Sequence, residues 1–438
     1  MMNTSSRLAV AVLCGAVLLS VVSCSDPASV GTGLGPDSLS GGDPQVKNVV
    51  PARLDTARVA PLTGFAPSAL LPGSDPRAWR FLTGTVSDPL AGRIEAAGYV
   101  DFIGSTERPS SIADEDPDSL DATLHLRRSY LHGDTTSTLE VQLYDLDGDA
   151  EMDRAPADTT FATELQPIRS ESYSISPTDT LVSLPLPTAW IEEHQAALQD
   201  SSSFGNSSFD GFRLTATGGN VVVGFEHGSA RLRLTTITDT VEFRPEKSFT
   251  HIERGRAPSL GEDRLLLQDG VGIGLTMAWD DGRIDSLGAT NLLLNRAEIS
   301  VPVDTTLFTS PGSNFVRPRP TGYRILATRA EGAPSCGPLG LFALTERGEQ
   351  CIFPTVPEWV PAAARVVPDR TFPVFERWFV EGPPFTSFRM EVTARTVASP
   401  NAQETARRGV PSTVPVVIRT DAADVEDLPR AVLTVTPL

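Results

Sequence analysis

Lysine is almost missing from this 438-residue chain: Lys47 and Lys247 are the two present, and arginine supplies the rest of the 36 basic residues. Acids number 55, which leaves a formal charge of −19. Without a basic surplus or a basic run there is no positive field for the phosphates of DNA or RNA, or for anionic lipid headgroups. Asp, Glu, Ser and Thr crowd the surface-like positions, a composition that suits a salt-adapted or high-GC bacterium. In strong salt the repulsion among carboxylates is screened, so the acidity serves solubility rather than a particular partner.

Signatures of catalysis are also lacking. No nucleophile elbow or phosphate loop occurs, and the five histidines, His125, His132, His194, His227 and His251, form no zinc-spaced motif. His125 sits in a strand-like alternation, where a half-buried structural role is the commoner one. Gly31, Gly33 and Gly35 mimic part of a nucleotide-binding pattern, but no strand precedes them and no helix follows. Acids are so numerous that a glycosidase acid and nucleophile cannot be singled out.

Long apolar runs are confined to the N-terminus. Arg7 gives a positive start, Leu8 to Leu19 an apolar stretch too short to span a bilayer well, and Val21-Val22-Ser23-Cys24 follows at cleavage distance. These residues look like a bacterial lipobox, with an apolar residue three before the cut, a small one just before it, and a thiol to be diacylated. The expectation is a signal peptide over 1–23, with Cys24 as the lipidated mature N-terminus. Its palmitate-type chains would add about 0.8 kcal/mol of membrane affinity per buried CH2. The expected address is the cell envelope, most simply the outer membrane, reached through lipid rather than through a spanning segment.

Cysteine is scarce, and Cys14 and Cys24 belong to the signal region. Cys336 and Cys351 remain, in CGPLGLFALTERGEQC, and in an oxidising compartment read as one disulfide worth about 3 kcal/mol by loop entropy. Two thiols without a nearby histidine cannot complete a tetrahedral metal site.

Residues 24–45 are rich in Gly, Ser, Pro and Asp and read as a flexible tether. Beyond them the signal is β nearly everywhere: short alternating or β-branched runs punctuated by Gly, Pro, Asp and Asn. Examples are Leu139–Leu146, Asn220–Phe225, Ala230–Phe243, Phe388–Val397 and Val414–Thr420. One helix is expected over Ala189–Gln199, with Thr188 as its cap and Trp190, Ile191, Ala197 and Leu198 on its apolar side. The 36 prolines favour antiparallel sandwiches of jelly-roll type over a parallel sheet, and they disfavour the long alternating strands of an outer-membrane barrel.

About 414 mature residues exceed one core and suggest two domains. A weak internal repeat supports this. Gly84–Ile103 and Leu120–Leu126 in one half resemble Leu265–Trp279 and Leu294–Val301 in the other, and the halves close on ARLRLTT at Ala230 and AVLTVTP at Ala431. The expected domains are 46–245 and 246–438, split in the polar run after Phe243, with an insertion near 333–377.

Several of these residues together resemble the domain of unknown function 4270 lipoproteins, envelope proteins of the Bacteroidetes and their relatives. They are the lipobox cysteine, the Asp88-Pro89-x-x-Gly92 turn, the Ser119-Leu120-Asp121-Ala122 strand entry, Phe209-Asp210-Gly211-Phe212 after the helix, and Leu294-Asn295-Arg296-Ala297-Glu298 before Val301-Pro302-Val303. The resemblance implies tandem β-sandwiches on a lipid anchor and brings no catalytic residues with it.

Two local constellations carry chemistry. Asp145, Asp147, Asp149, Glu151 and Asp153 place an acid at every second position of YDLDGDAEMD; they read either as a calcium loop or as a solvated acidic turn. Phe372, Phe375, Trp378 and Phe379, with Trp359 upstream, read either as a sugar-stacking platform or as core. The functional expectation is a non-catalytic envelope lipoprotein that scaffolds or binds, partnered by the membrane and by an envelope protein or glycan. The alternatives are a carbohydrate-binding surface lipoprotein and a glycan hydrolase.

Overall fold

The computed structural model describes residues 42–58, 79–103, 115–148, 151–152, 155, 157–176, 180–199, 210–256, 259–279, 292–304, 312, 314–318, 322–329, 341–345, 348–353, 357–360, 365–368, 385–393 and 412–437. The strands in chain order begin with β1 (Gln45–Val49), β2 (Arg53–Arg58), β3 (Arg80–Asp88), β4 (Gly92–Ile103), β5 (Asp121–Asp134), β6 (Thr138–Asp145), β7 (Arg169–Ser174) and β8 (Leu181–Pro185). Then comes α1 (Thr188–Gln199), the single α-helix among the described residues. After it run β9 (Phe212–Thr217), β10 (Val221–Glu226), β11 (Arg231–Thr235), β12 (Thr240–Arg254), β13 (Arg264–Gln268), β14 (Ile273–Ala278), β15 (Leu292–Pro302) and β16 (Phe315–Val316). The last are β17 (Gly322–Arg329), β18 (Leu341–Thr345), β19 (Gly348–Phe353), β20 (Pro357–Val360), β21 (Arg365–Pro368), β22 (Phe385–Thr393), β23 (Pro415–Arg419) and β24 (Arg430–Pro437). The fold is all-β and antiparallel, as the composition and periodicity predict.

Period-two alternation makes the first layers. Along β5 the side chains of Ala122, Leu124 and Leu126 are buried, while those between them lie partly or fully in water. Two long strands pass from one layer to the other. Residues 121–127 of β5 pair with β8 and β11, and residues 128–134 with β10 and β16. Likewise β12 pairs with β11 over 240–243 and with β4 over 244–254. Between the layers lies a core that includes Phe81, Phe102, Leu143, Phe212, Phe225 and Phe243. The apolar side of α1, with Trp190, Ile191, Ala197 and Leu198, packs into that same core. Thr188, expected as its cap, is instead the first residue assigned to the helix.

The later strands form two further sheets. One follows the order β18-β19-β17-β22-β14-β13-β23, with β2 beside β14; the other follows β1-β24-β15-β21-β20. The sequence repeat reappears as a repeat of pairings. β3 and β4 pair as one hairpin and β13 and β14 as another, while β5 pairs with β11 as β15 pairs with β24. The registers differ by two: Leu124 lies opposite Leu232, whereas Ile299 lies opposite Ala431.

The expected boundary at 245/246 is not a break. β12 runs through it to Arg254, and the polar run at Pro245-Glu246-Lys247 is a register shift within the pairing with β4. Proline and charge accumulate there because a bulge frees the backbone from the ladder, a signal that in sequence imitates a linker. Nor does the segment after the tether join the first sheet: β1 pairs with β24 and β2 with β14.

The two halves meet over the face of β3, β4, β5, β10 and β12 that looks away from the first core. Leu82, Val86, Ile94, Tyr130 and Ile252 there are covered by Phe315, with Val271 alongside, and Leu90 packs on Leu266 and Val417. Among the described residues no helix is long and apolar enough to cross a membrane.

Candidate functional site

A cleft of about 430 Å³ opens where three turns of the first half meet the segment around β16. Ser87 and Pro89 reach it from the β3–β4 turn, Asp134 from the β5–β6 turn, Asn220 from the β9–β10 turn, and Gly312, Asn314 and Phe315 from the fourth side.

Local sequence fixes each turn. Asp134 Oδ1 accepts from the Thr136 backbone N–H at 2.9 Å and from its hydroxyl at 2.7 Å, the usual closure of an Asp-Thr-Thr turn. Gly218 and Gly219 both hold positive φ, at 72° and 68°, and so turn β9 back toward β10. Asn220 then staples the turns together. Its Oδ1 accepts from Ser87 N–H at 2.6 Å, its N–H donates to Ser137 Oγ at 3.1 Å, and its carbonyl accepts from Asp134 N–H at 2.9 Å. The Thr135 N–H donates across to the Asn314 carbonyl at 2.7 Å and so ties on the fourth side. The Thr136 backbone N–H and hydroxyl hold the Asp134 carboxyl below the usual carboxylate range, so it is an acceptor at neutral pH.

Phe315 closes the cleft floor, and its ring meets that of His132 edge-on at 5.9 Å. Beneath it is a buried polar line that crosses between the halves. His132 Nε2 lies 2.8 Å from Asp88 Oδ2, and His132 Nδ1 lies 2.7 Å from Thr413 Oγ1. The Thr413 N–H donates to the Tyr130 hydroxyl at 3.0 Å, and that hydroxyl lies 3.0 Å from Thr413 Oγ1. An ionised Asp88 can only accept, so His132 Nε2 donates. Burial lowers the His132 pKa despite the pull of Asp88, so the ring is neutral, Nδ1 accepts, and the Thr413 hydroxyl donates. Arg317 completes the set, its Nε donating to Asp88 Oδ2 at 2.8 Å and its Nη2 to Oδ1 at 2.9 Å.

Asp88 also opens the β3–β4 turn, its Oδ1 accepting from the N–H groups of Leu90 at 2.7 Å and Ala91 at 3.3 Å. Burial opposes its charge, but the hydrogen bonds from His132 and Arg317 outweigh that and hold its carboxyl well below the usual range. The order acid, imidazole, hydroxyl is that of a hydrolase relay, yet His132 and Thr413 have no exposed surface and the hydroxyl is spent within the line. Its evident service is to join the halves.

Of the acidic run, Asp145, Asp147 and Glu151 lie within the described residues. Asp145 is buried, and its Oδ2 accepts from Trp190 Nε1 at 3.1 Å and lies 3.0 Å from His194 Nε2. Asp147 and Glu151 are exposed, and Asp149 and Asp153 lie outside the described residues. Among the described residues no group of three acids, histidines or cysteines is placed to hold a metal ion. Cys24 and Cys336 lie outside the described residues, while Cys351 is in β19, opposite Ala327 and Phe342. Phe372, Phe375, Trp378 and Phe379 also lie outside, and Trp359 pairs with Val366 in β20.

His125 is half-buried with Nδ1 2.9 Å from Ser183 Oγ, as the alternation predicts. His227 bonds Ser248 Oγ at 3.0 Å, and His251 bonds the Thr159 carbonyl at 2.9 Å. Sequence reading missed the roles of Asp88, His132, Arg317 and Thr413. The available signal was Asp88-Pro89-x-x-Gly92, which marks the turn but not the partners of its first residue.

No family model matches the chain, and no curated protein does. Among solved structures, a chain of the "Structure of the Macrobrachium rosenbergii Nodavirus" aligns over 95% of each chain at 9% identity with a TM-score of 0.12. At that score the match supports nothing about this chain's fold or function.

Proposed function

We propose that this chain is a lipid-anchored envelope protein, held at the outer membrane through Cys24, that works by binding a partner rather than by turnover. The lipobox-like residues and the resemblance to envelope lipoproteins support the address. The observation that carries the binding reading is the joining of the halves. β1 and β2, which follow the tether, pair with strands of the second half, and Asp88, His132, Arg317 and Thr413 lock the two halves through buried bonds. Such a body presents its turns in fixed geometry at the end of a tether, where a local partner needs only a weak interface. The partner class is an envelope protein or a glycan, and the cleft beside the lock, which sets Asp134 and Asn220 next to Pro89 and Phe315, favours the second.

The test is cross-linking in whole envelopes followed by capture, comparing the wild type with Cys24→Ser. The expected result is membrane partitioning and a specific partner with the wild type, and a soluble or uncleaved form with the variant. Unchanged detergent-phase partitioning of the variant would overturn the anchor. A measured turnover on envelope glycans, lost on substituting carboxylates of the chain, would overturn the non-catalytic reading.

A further inference from the structure

We propose that the cleft bounded by Ser87, Pro89, Asp134, Asn220, Asn314 and Phe315 is a binding site for an uncharged sugar residue. The proposal deepens the reading of this chain as a binding protein and rests on it.

Charge narrows the ligand first. Among the described residues the walls carry one ionised group, Asp134, and no cation, a lining that disfavours a phosphate, sulfate or carboxylate. Polarity narrows it again, because a wholly apolar ligand would strip water from amide, hydroxyl and carboxylate groups without replacing their bonds. A neutral ring with several hydroxyls and one C–H face meets both demands. Its volume class is right too, since about 430 Å³ lies within the roughly 300–1,000 Å³ of small-ligand sites.

The polar groups are fixed before any ligand arrives. Asn220 Oδ1 is engaged by Ser87 N–H, which sets the amide so that Nδ2, without a hydrogen-bond partner among the described residues, is left to donate. Asp134 uses Oδ1 for Thr136, which leaves Oδ2 to accept from a hydroxyl. Groups held in this way lose little freedom on binding. Exposed Pro89, with the small part of Phe315 that remains accessible, supplies the apolar surface for a C–H face. The mouth is open beside Gly312, where an added Cβ would meet nothing within 4 Å.

Saturation-transfer NMR on the purified chain, with millimolar glucose, galactose, mannose and N-acetylglucosamine, tests this; choline in the same experiment and calcium chloride, followed by the shift in melting temperature, serve as cationic controls. At least one sugar is expected to receive saturation. Asp134→Asn keeps an acceptor for Thr136 on the exposed turn, and it should weaken that sugar about tenfold. Phe315→Leu keeps an apolar cover over His132 but removes the ring, and it should weaken the sugar about fivefold. Thermal melting checks that each variant is folded. No transfer to any sugar, equal transfer in the wild type and Asp134→Asn, or a response to choline or calcium alone would each overturn the proposal. A partner captured from envelopes when no sugar binds would overturn the site and leave the binding reading standing. A sugar that binds and is also turned over would uphold the site and overturn the non-catalytic reading.

Discussion

Asp88 and Arg317 meet as a two-pronged pair, Nε to Oδ2 at 2.8 Å and Nη2 to Oδ1 at 2.9 Å, across 229 positions of chain. Both side chains are sealed from water, at 0% and 2% exposure, so neither charge is relieved by solvent if the other is removed. Since Asp88 opens a hairpin turn of the first half and Arg317 follows β16, this pair and the His132–Thr413 bond hold one half against the other.

His227 is expected to set a proton-linked slope in stability. It is buried, and burial, with Arg231 nearby, lowers its pKa from 6.5 to about 3. The unfolded chain therefore binds a proton that the folded chain refuses, and stability falls as pH drops from 6.5 toward 3, by about 1.4 kcal/mol per pH unit for one such group. His132 acts in the same direction. His194 opposes them: burial works against its charge, but the bond to Asp145 outweighs it and raises its pKa, so its contribution is full below 6.5 and is lost above. Urea unfolding between pH 4 and 7, for the wild type and His227→Asn, measures the slope. The variant should be flatter, and an unchanged slope would reject the assignment.

A direct measure of the Asp145–His194 contact is the titration of that histidine by NMR. In the wild type it should titrate above the ordinary value of 6.5, since Asp145 favours its charged form. Asp145→Asn removes the charge and the stronger acceptor, so the midpoint should drop below that of the wild type. A midpoint that does not move would mean the pair at 3.0 Å is without electrostatic consequence.

Much of this architecture was legible because strands announce themselves locally. Leu139–Leu146 and Val414–Thr420 differ from β6 and β23 by a residue or so at either end. The run from Ala230 to Phe243 hid a turn. Residues 236–239 reverse the chain through bonds of the Thr236 hydroxyl and the Asp239 carbonyl, and Thr-Thr-Ile-Thr-Asp-Thr gives no glycine or proline to mark it. The cleft was not legible at all. Its residues come from three separate turns and the segment around β16, and the pairing of β5 with both β10 and β16 brings them together. Asp145 misled for the opposite reason: a period of two over acids reads as one exposed edge, but its first member ends β6 on the buried face.

Gly133 is expected to tolerate no side chain. It holds φ at 128° in β5, and an added Cβ would lie 2.2 Å from the Asn220 carbonyl oxygen and 2.7 Å from Val221 Cα. Both neighbours are backbone, so relief requires moving β10 away from β5. Gly133→Ala should cost about 3 kcal/mol or more, read as a lower urea midpoint at unchanged slope. A loss below about 0.5 kcal/mol, the range of ordinary surface changes, would show that the strands can part without penalty.

The Asp88–Arg317 pair makes the sharpest test of how the halves are joined. Removing one partner leaves an uncompensated buried charge, so Asp88→Ala and Arg317→Ala should each cost about 3–5 kcal/mol. Asp88→Ala also strips acceptors from the Leu90 and Ala91 N–H groups and from His132, so it should be the worse of the two. With both charges gone, no lone ion remains to be desolvated. The double variant should then lose less than the sum of the single losses, with a coupling of about 1–3 kcal/mol. Calorimetry adds a second reading. If this pair and Thr413 hold the halves together, wild-type unfolding is one transition, and Arg317→Ala separates it into two as each half melts on its own. Additive losses would deny the coupling. A single transition retained in Arg317→Ala would place the bond between the halves in the apolar contacts of Leu82, Leu90, Tyr130 and Phe315 rather than in the buried charges.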